Sequence, residues 1–186
     1  MLAVGMLVPL LPKLYASLNA SGSRIGLLGS AYGFSNLLGG PSFGFLSDAI
    51  GARRSLILAM LGSAVGYALV AAAGSLWITA VGRAITGLFK QTLTIAKAAL
   101  AVISPPGDRA RDMGRINSAA SAGFIVGPLA GGFLFDGPGG VRAVAGITSL
   151  LFVVNAIVAW AFLAQADQSG SVRETKKEDR DSGMLR

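Results

Sequence analysis

Three basic residues, Arg83, Lys90 and Lys97, stand seven residues apart in an apolar stretch. Seven residues turn an α-helix by about 700°, ~20° short of two full turns, so a continuous helix would present all three from nearly one face. A cation at mid-bilayer raises the free energy of membrane insertion by ~2.5–3.5 kcal/mol, whereas a Leu or Ile lowers it by only ~0.3–0.6 kcal/mol. This face is therefore not expected to contact lipid. No acidic residue within these apolar stretches neutralises its charge. The pattern favours an anionic or carboxylate-bearing solute.

Alternatives remain for each of these side chains. Lys97 is close enough to the helix end to reach the phosphate groups of the bilayer, and Arg83 has backbone carbonyls as alternative partners. Lys90, near mid-helix, is then the ligand on which the prediction depends. Asn36 is a further candidate ligand in mid-span, and for Asn36 and Asn155 hydrogen bonding between helices is the alternative role.

The residue inventory argues against catalysis. The chain has neither Cys nor His, which removes thiolate and imidazole metal ligands and any nucleophile that needs an imidazole base. Asp48 and Asp136 stand at predicted helix ends rather than as a pair in the hydrocarbon. We therefore predict that the protein is not an enzyme and that it has no catalytic residues, no metal and no cofactor.

The composition predicts a membrane protein. Of 186 residues, 53% are hydrophobic and only 13% are charged, which is more apolar surface than a small soluble core can hide. The net charge of +7 resides mostly in short links between apolar runs and in a mixed-charge tail, a distribution that orients membrane helices. We expect the lipid bilayer, and not nucleic acid, as the surrounding partner.

Five full membrane spans of about 20 residues are predicted along the chain, at 25–46, 56–73, 76–101, 117–135 and 143–164. The opening 15 residues would rise only ~22 Å as a helix, short of a ~30 Å hydrocarbon core. We interpret them as the outer half of an incomplete first helix. A signal peptide is the alternative, against which stand the missing basic start and the interruption by Pro9, Pro12 and Lys13.

The links between the spans predict the orientation and the domain limits. The links with Arg53, Arg54 and the cluster from Arg109 to Arg115 carry more cations than the opposite side, which has Lys13, Arg24 and Arg142, so the richer side is expected to be cytoplasmic. Residues 1–165 are predicted to form a transmembrane half-domain. Residues 166–186 are polar and mixed in charge, which predicts a flexible cytoplasmic linker or tail.

The chain contains an internal repeat. Residues 40–53 read GPSFGFLSDAIGAR and residues 127–142 read GPLAGGFLFDGPGGVR, so Gly-Pro, Leu-x-Asp, a glycine-containing link and Arg recur in order. A helix end and loop repeated after roughly ninety residues is typical of transporters built from duplicated helix bundles. The repeat predicts two inverted three-helix units, with Asp48 inside and Asp136 outside.

One copy of this repeat carries a family signature. Gly44, Leu46, Asp48, Gly51 and Arg53, within GFLSDAIGARR, match the loop between helices 2 and 3 of the major facilitator superfamily, which this chain resembles. The resemblance implies that the loop is a cytoplasmic gating element. Two glycines would permit the tight turn, and the acid and arginine can pair or cap neighbouring helix ends.

The second signature lies in the fifth helix. The segment GFIVGPLAGG matches the helix 5 pattern that is found in the antiporter branches of this family. The matching residues are Gly123, Gly127, Pro128, Gly131 and Gly132. Three of these glycines recur every four residues and would let another helix approach closely. The resemblance implies a hinge here, in which close packing and the proline kink let the helix pivot.

The resemblance extends from about residue 8 to residue 164 and implies the amino-terminal six helices of a twelve-helix carrier. Arg83 and Gly87 match its helix 4 signature, and that helix lines the central cavity in this family. Residues 82–100 and 114–134 look most like the subgroup called major facilitator superfamily domain-containing protein 9.

What the resemblance implies is secondary active transport of a small solute by alternating access. The expected partners are the solute and either a missing second half or a self-associated copy. A truncated, non-transporting membrane subunit or interaction protein is the alternative. The sequence does not identify the substrate, the coupling ion or the organelle.

Overall fold

The computed structural model describes residues 1–105, 107–137 and 139–183, and the regular structure in these ranges is helical. The helices are α1 (Leu2–Leu7), α2 (Leu11–Ser17), α3 (Gly22–Ile50), α4 (Ala52–Ala71), α5 (Leu76–Phe89), α6 (Thr92–Ile103), α7 (Arg109–Phe135) and α8 (Gly140–Gly183), with a 3-10 helix at Val8–Leu10 between the first two. The predicted all-α class is confirmed.

The opening segment is a broken helical passage packed in the core. Pro9 and Pro12 stand in the first turns of the 3-10 helix and of α2, where a missing backbone N–H is tolerated. Val4, Leu7 and Leu14 are at most 2% exposed, and α1 packs on α7 and α8. The segment is therefore an integral part of the bundle.

The centre of the bundle lies where α1, α4 and α8 meet. The rings of Tyr67 and Phe152 stack with their centroids 5.4 Å apart. Two hydroxyls tie α8 to its neighbours: Thr148 Oγ1 donates to Ala3 O at 3.1 Å. Ser149 Oγ donates to Ala64 O at 2.8 Å. Such bonds stabilise helix contacts where water is absent.

The packing follows the predicted repeat. The first helical passage packs on α7, α3 packs on α5, and α4 packs on α8. The predicted repeat makes the first passage equivalent to the fourth (α5 and α6), α3 equivalent to α7, and α4 equivalent to α8. Under this equivalence the contact of the first passage with α7 corresponds to that of α5 with α3, and the contact of α4 with α8 corresponds to itself, as two equivalent three-helix units require. Pro41 lies inside α3 and Pro128 inside α7, at the matching Gly-Pro of the two sequence copies.

In the part of the chain that the structure describes, three helical segments are long and apolar enough to cross a membrane, namely Ala52–Ala71, Arg109–Phe135 and Gly140–Ala161. Each corresponds to one of the five predicted spans. Helix α3 is long enough, but its sequence is rich in Gly and Ser and contains Asn36, and it is not among these three segments. The predicted span at 76–101 is divided between α5 and α6, each too short to cross alone.

The carboxy-terminal helix continues beyond the predicted end of the half-domain, since α8 extends to Gly183. The division at residue 165 into a membrane half-domain and a cytoplasmic tail stays a prediction.

Candidate functional site

The fourth membrane passage is interrupted at Lys90 and Gln91. The ψ angles of both residues lie outside the α-helical region. Lys90 has φ −75° and ψ 47°, and Gln91 has φ −103° and ψ 9°. The prediction that Arg83, Lys90 and Lys97 share one helix face is wrong, because seven-residue spacing aligns side chains only on a continuous helix. Lys90 instead lies at a helix break, where its side chain is half-buried.

The break is held by side chains that reach other helices. Gln91 is 4% exposed, and its Nε2 donates to Asn36 O at 3.1 Å and to Asn36 Oδ1 at 3.4 Å. Immediately before the break, the Phe89 ring meets the Phe43 ring edge-on at 5.5 Å and covers Gly62. These contacts override the helical preference of the local sequence.

Helix α5 is fixed between α3 and α4 by close backbone approach. A Cβ at Gly87 would lie 2.5 Å from Tyr32 O on α3, and a Cβ at Gly82 would lie 2.9 Å from Gly66 O on α4. Real Cβ atoms do not tolerate such distances to backbone, so glycine is required at both positions for this packing. Arg83 on α5 and Lys90 directly after α5 are thereby placed against α3.

Tyr32 is the residue on which the site converges. Its hydroxyl accepts a hydrogen bond from Lys90 Nζ at 3.0 Å, and Asn36 Nδ2 lies 3.5 Å from the same oxygen. The Arg83 guanidinium lies over the Tyr32 ring, with Cζ 4.0 Å from the centroid, a cation–π contact. Sequence reasoning missed Tyr32, although it stands one helical turn before Asn36.

Arg83 is enclosed rather than exposed. Its side chain is 8% exposed, it interacts with the Tyr15 hydroxyl, and its Nε is buried without a hydrogen-bond partner among the described residues. The sequence left hydrogen bonding to backbone carbonyls as the alternative role of Arg83, but its Nε has no such partner among the described residues. Arg83 is a buried positive charge behind Tyr32.

A cavity of about 280 Å³ opens beside Lys90. Thr92, Phe152 and Asn155 also line it, whereas Arg83 and Asn36 are not among its lining residues. Asn155 Nδ2 donates to Leu151 O at 2.7 Å within α8, so its predicted bond between helices is wrong. For Asn36, the bond between helices is confirmed by Gln91 Nε2, which donates to Asn36 Oδ1 at 3.4 Å.

The positive charge of the site is not balanced by nearby acids. Within the described part of the chain, no ion pair joins Arg83 or Lys90 to a carboxylate, and the ion pair of Asp112 with Arg115, at 3.3 Å, lies at the start of α7. Asp48 and Asp136 are likewise at helix ends. A buried cation without a counter-ion is costly unless a ligand supplies the charge.

The predicted gating loop is a sharp turn between α3 and α4. Gly51 has φ 86°, a conformation that glycine adopts at little cost. Arg53 Nη2 donates to Trp160 O at 3.1 Å, which ties the loop to α8. Asp48 is exposed in the last turn of α3, and a Cβ at Gly44 would meet nothing within 4 Å. The role of this loop as a gate stays a prediction.

The glycines of α7 form the predicted packing face. Their neighbours on the first passage are Leu2 for Gly123, Gly5 for Gly127 and Met6 for Gly131. Close packing is thus confirmed for these three glycines, whereas a Cβ at Gly132 would meet nothing within 4 Å. Pro128 is exposed within the helix. A pivoting role for this segment stays a prediction.

Comparison with known proteins gives the family context of this geometry. The family model described as Major Facilitator Superfamily matches residues 1–185. The class C tetracycline resistance protein of Escherichia coli is 34% identical over 134 residues, which are 70% of this chain and 34% of that protein. The major facilitator superfamily domain-containing protein 10 of Bos taurus is 33% identical over 140 residues, or 75% of this chain and 30% of the relative.

A solved structure shares the fold. The crystal structure of the human organic anion transporter MFSD10 (TETRAN) superimposes with a TM-score of 0.70 at 27% identity, covering 85% of this chain and 42% of that one. The chain spans about a third of the length of these curated relatives. The predicted resemblance to domain-containing protein 9 stays a prediction, since the similarity shown here is to domain-containing protein 10.

Proposed function

Because the chain belongs to the Major Facilitator Superfamily, we propose that it forms the amino-terminal half of a secondary transporter that moves a small anionic solute by alternating access. Members of this family are transporters, and the chain is a multi-pass membrane protein with the fold of one carrier half. The structural neighbour named an organic anion transporter supports the anionic class. The tetracycline resistance proteins support transport of small molecules in general.

The observation that carries the proposal is the pair of cations converging on Tyr32 without a carboxylate partner. Lys90 lines the cavity, and its ammonium is held by a neutral hydroxyl, which a solute carboxylate would replace as a stronger, charge-assisted acceptor. Arg83 adds positive potential from behind the ring. Asn36 positions Gln91 and Tyr32, so its contribution to binding is indirect.

Alternating access would use the contacts already described. The glycine face of α7 lets the first passage slide at short range, and Pro128 weakens the helix ladder beside it. The loop with Gly51 and Arg53, bound to α8, would lock one end of the bundle. In this proposal the loop is the gate and the α7 segment is the hinge.

A complete pathway requires a second six-helix unit. The chain covers about a third of its curated relatives, and transporter sites of this kind form at the interface of repeated units. We expect this unit to be either a carboxy-terminal half or a second copy of the chain.

The test is the charge selectivity of uptake. Proteoliposomes containing the purified chain, with and without chemical cross-linking, are supplied with matched labelled organic anions and organic cations. Uptake of anions over cations supports the proposal, and Lys97→Ala serves as the charge-matched control for Lys90→Ala. Uptake of cations equal to that of anions would contradict it. Absence of both uptake and anion binding would favour a non-transporting subunit.

A further inference from the structure

The first turn of α6 is an uncapped helix end beside the Lys90 cavity. Gln91 holds the N-cap position, but no side chain of the described residues caps the helix there, since the Gln91 amide donates to Asn36 instead. Thr92 and Leu93, the first two residues of α6, both line the cavity of about 280 Å³. Backbone N–H groups in the first turn of a helix have no intrahelical partner, and they favour a negative charge. An anion at Lys90 therefore has further donors within reach at the start of α6.

A second donor at this end of the cavity is the Thr92 hydroxyl. Thr92 Oγ1 is buried and has no hydrogen-bond partner among the described residues, although an unpaired buried hydroxyl raises the free energy of the folded state. The Lys90 ammonium has three donors, and one of them is given to the Tyr32 hydroxyl. Since a carboxylate accepts several hydrogen bonds through its two oxygens, one carboxylate can accept from both Lys90 and Thr92.

The wall that α8 contributes to this cavity is neutral. Helix α4 packs on both α6 and α8 and supplies Met60 to the lining, so the cavity lies between those two helices. Asn155 of α8 donates through Nδ2 to Leu151 O, whereas its Oδ1 accepts no hydrogen bond among the described residues. Lys90 is the sole charged side chain in the described lining. The α8 wall therefore offers an acceptor for a hydroxyl group but no partner for a second carboxylate.

We propose that the solute is a monocarboxylate with an apolar body and a hydroxyl group at its far end, and that Thr92 and Asn155 determine this specificity. The inference rests on the proposed function, because it assigns the substrate class of the Lys90 site. The carboxylate is placed at Lys90, Thr92 and the start of α6. The apolar body lies against Met60 and Phe152, and the far hydroxyl donates to Asn155 Oδ1. A dicarboxylate is disfavoured, because its second charge would lose water without gaining a cation.

The experiment measures the affinity of the purified full chain for three anions of matched length by isothermal titration calorimetry in detergent. The probes are heptanoate, hexanoate with a terminal hydroxyl group, and hexanedioate, which carries a second carboxylate. The hydroxylated form should bind most tightly, because the methyl end of heptanoate would leave the Asn155 acceptor unpaired. Hexanedioate should bind most weakly.

Two variants test the assigned residues. Thr92→Val keeps the shape of the side chain and should weaken binding of the hydroxylated form about tenfold, while the ligand-free melting temperature does not fall, since the hydroxyl has no partner to lose. Asn155→Leu should abolish the preference for the hydroxylated form over heptanoate. Thr94→Val is the matched control, because it removes the same group from a residue of α6 that does not line the cavity.

Lys90→Leu distinguishes failure of this inference from failure of the proposed function. If all three anions bind equally, lose binding in Lys90→Leu and are unaffected by Thr92→Val and Asn155→Leu, the inference is overturned and the proposed function stands. Tightest binding of hexanedioate with the same dependence on Lys90 would have the same meaning. If none of the anions binds, or if their binding does not depend on Lys90, both are overturned.

Discussion

Two adjacent glycines of α7 should respond oppositely to the same substitution. A Cβ at Gly131 would contact Met6 O and would lie 2.9 Å from Met6 Cα, whereas a Cβ at Gly132 would meet nothing within 4 Å. The obstruction at Gly131 is backbone, which cannot rotate away, so the first passage must shift. Gly131→Ala and Gly132→Ala therefore form a matched pair on one helix.

The expected magnitude follows from two opposing contributions. Replacing Gly by Ala inside a helix stabilises by about 1 kcal/mol, and this gain is common to both variants. Overpacking at Gly131 costs about 1–3 kcal/mol. The free energy of unfolding should therefore differ by about 1–3 kcal/mol between the variants, with Gly132→Ala the more stable. For a chain of this size, that difference corresponds to about 2–12 °C in melting temperature.

The assay is thermal unfolding of both purified variants beside the parent chain in one detergent. Gly132→Ala is expected to melt above the parent and Gly131→Ala clearly below Gly132→Ala. Equal shifts for both variants would refute the reasoning, because the close approach of α7 to the first passage would then not constrain position 131.

Three further predictions concern the site, the topology and competence. Tyr32→Phe keeps the ring under Arg83 but removes the acceptor of Lys90, so the free energy of unfolding of the anion-free chain should fall by about 0.5–1.5 kcal/mol and the anion affinity should change; an unaltered anion affinity would contradict the assigned role. In this cysteine-free chain, Ile50→Cys and Gly137→Cys should be labelled from opposite sides of the membrane, and labelling of both from the same side would contradict the inverted repeat. The monomeric chain should give no flux above that of empty liposomes, whereas flux from a verified monomer would show that no second unit is needed.

The packing of α7 was predictable from the sequence because it depends on local spacing. Gly123, Gly127 and Gly131 repeat at four-residue intervals, which places them on one face of any continuous helix, and they contact the first passage as expected. The all-helical class followed equally from the length and apolarity of the predicted spans.

The break at Lys90 was not predictable, because no Pro or Gly marks it. It depends on Gln91 reaching Asn36 across 55 residues of chain, a contact that spacing along one helix cannot reveal. Tyr32 was missed for the same reason, because its importance lies in its contacts with Arg83 of α5 and with Lys90 at the break. Asn155, expected to bond another helix, instead bonds its own, which apolar context alone cannot distinguish.

The central claim, that Lys90 is an anion ligand, is tested most directly by ligand-induced stabilisation of the purified chain and its variants. An organic anion at about 100 times its Kd should stabilise the parent by about 2.7 kcal/mol, or about 5–11 °C. Lys97→Ala should keep this shift and Lys90→Arg should keep part of it, since Arg retains the charge but not the geometry. Lys90→Leu should show no anion-induced shift. A Lys90→Leu variant that melts higher than the parent and still responds fully to the anion would contradict the account, because Lys90 would then be an unneeded buried charge.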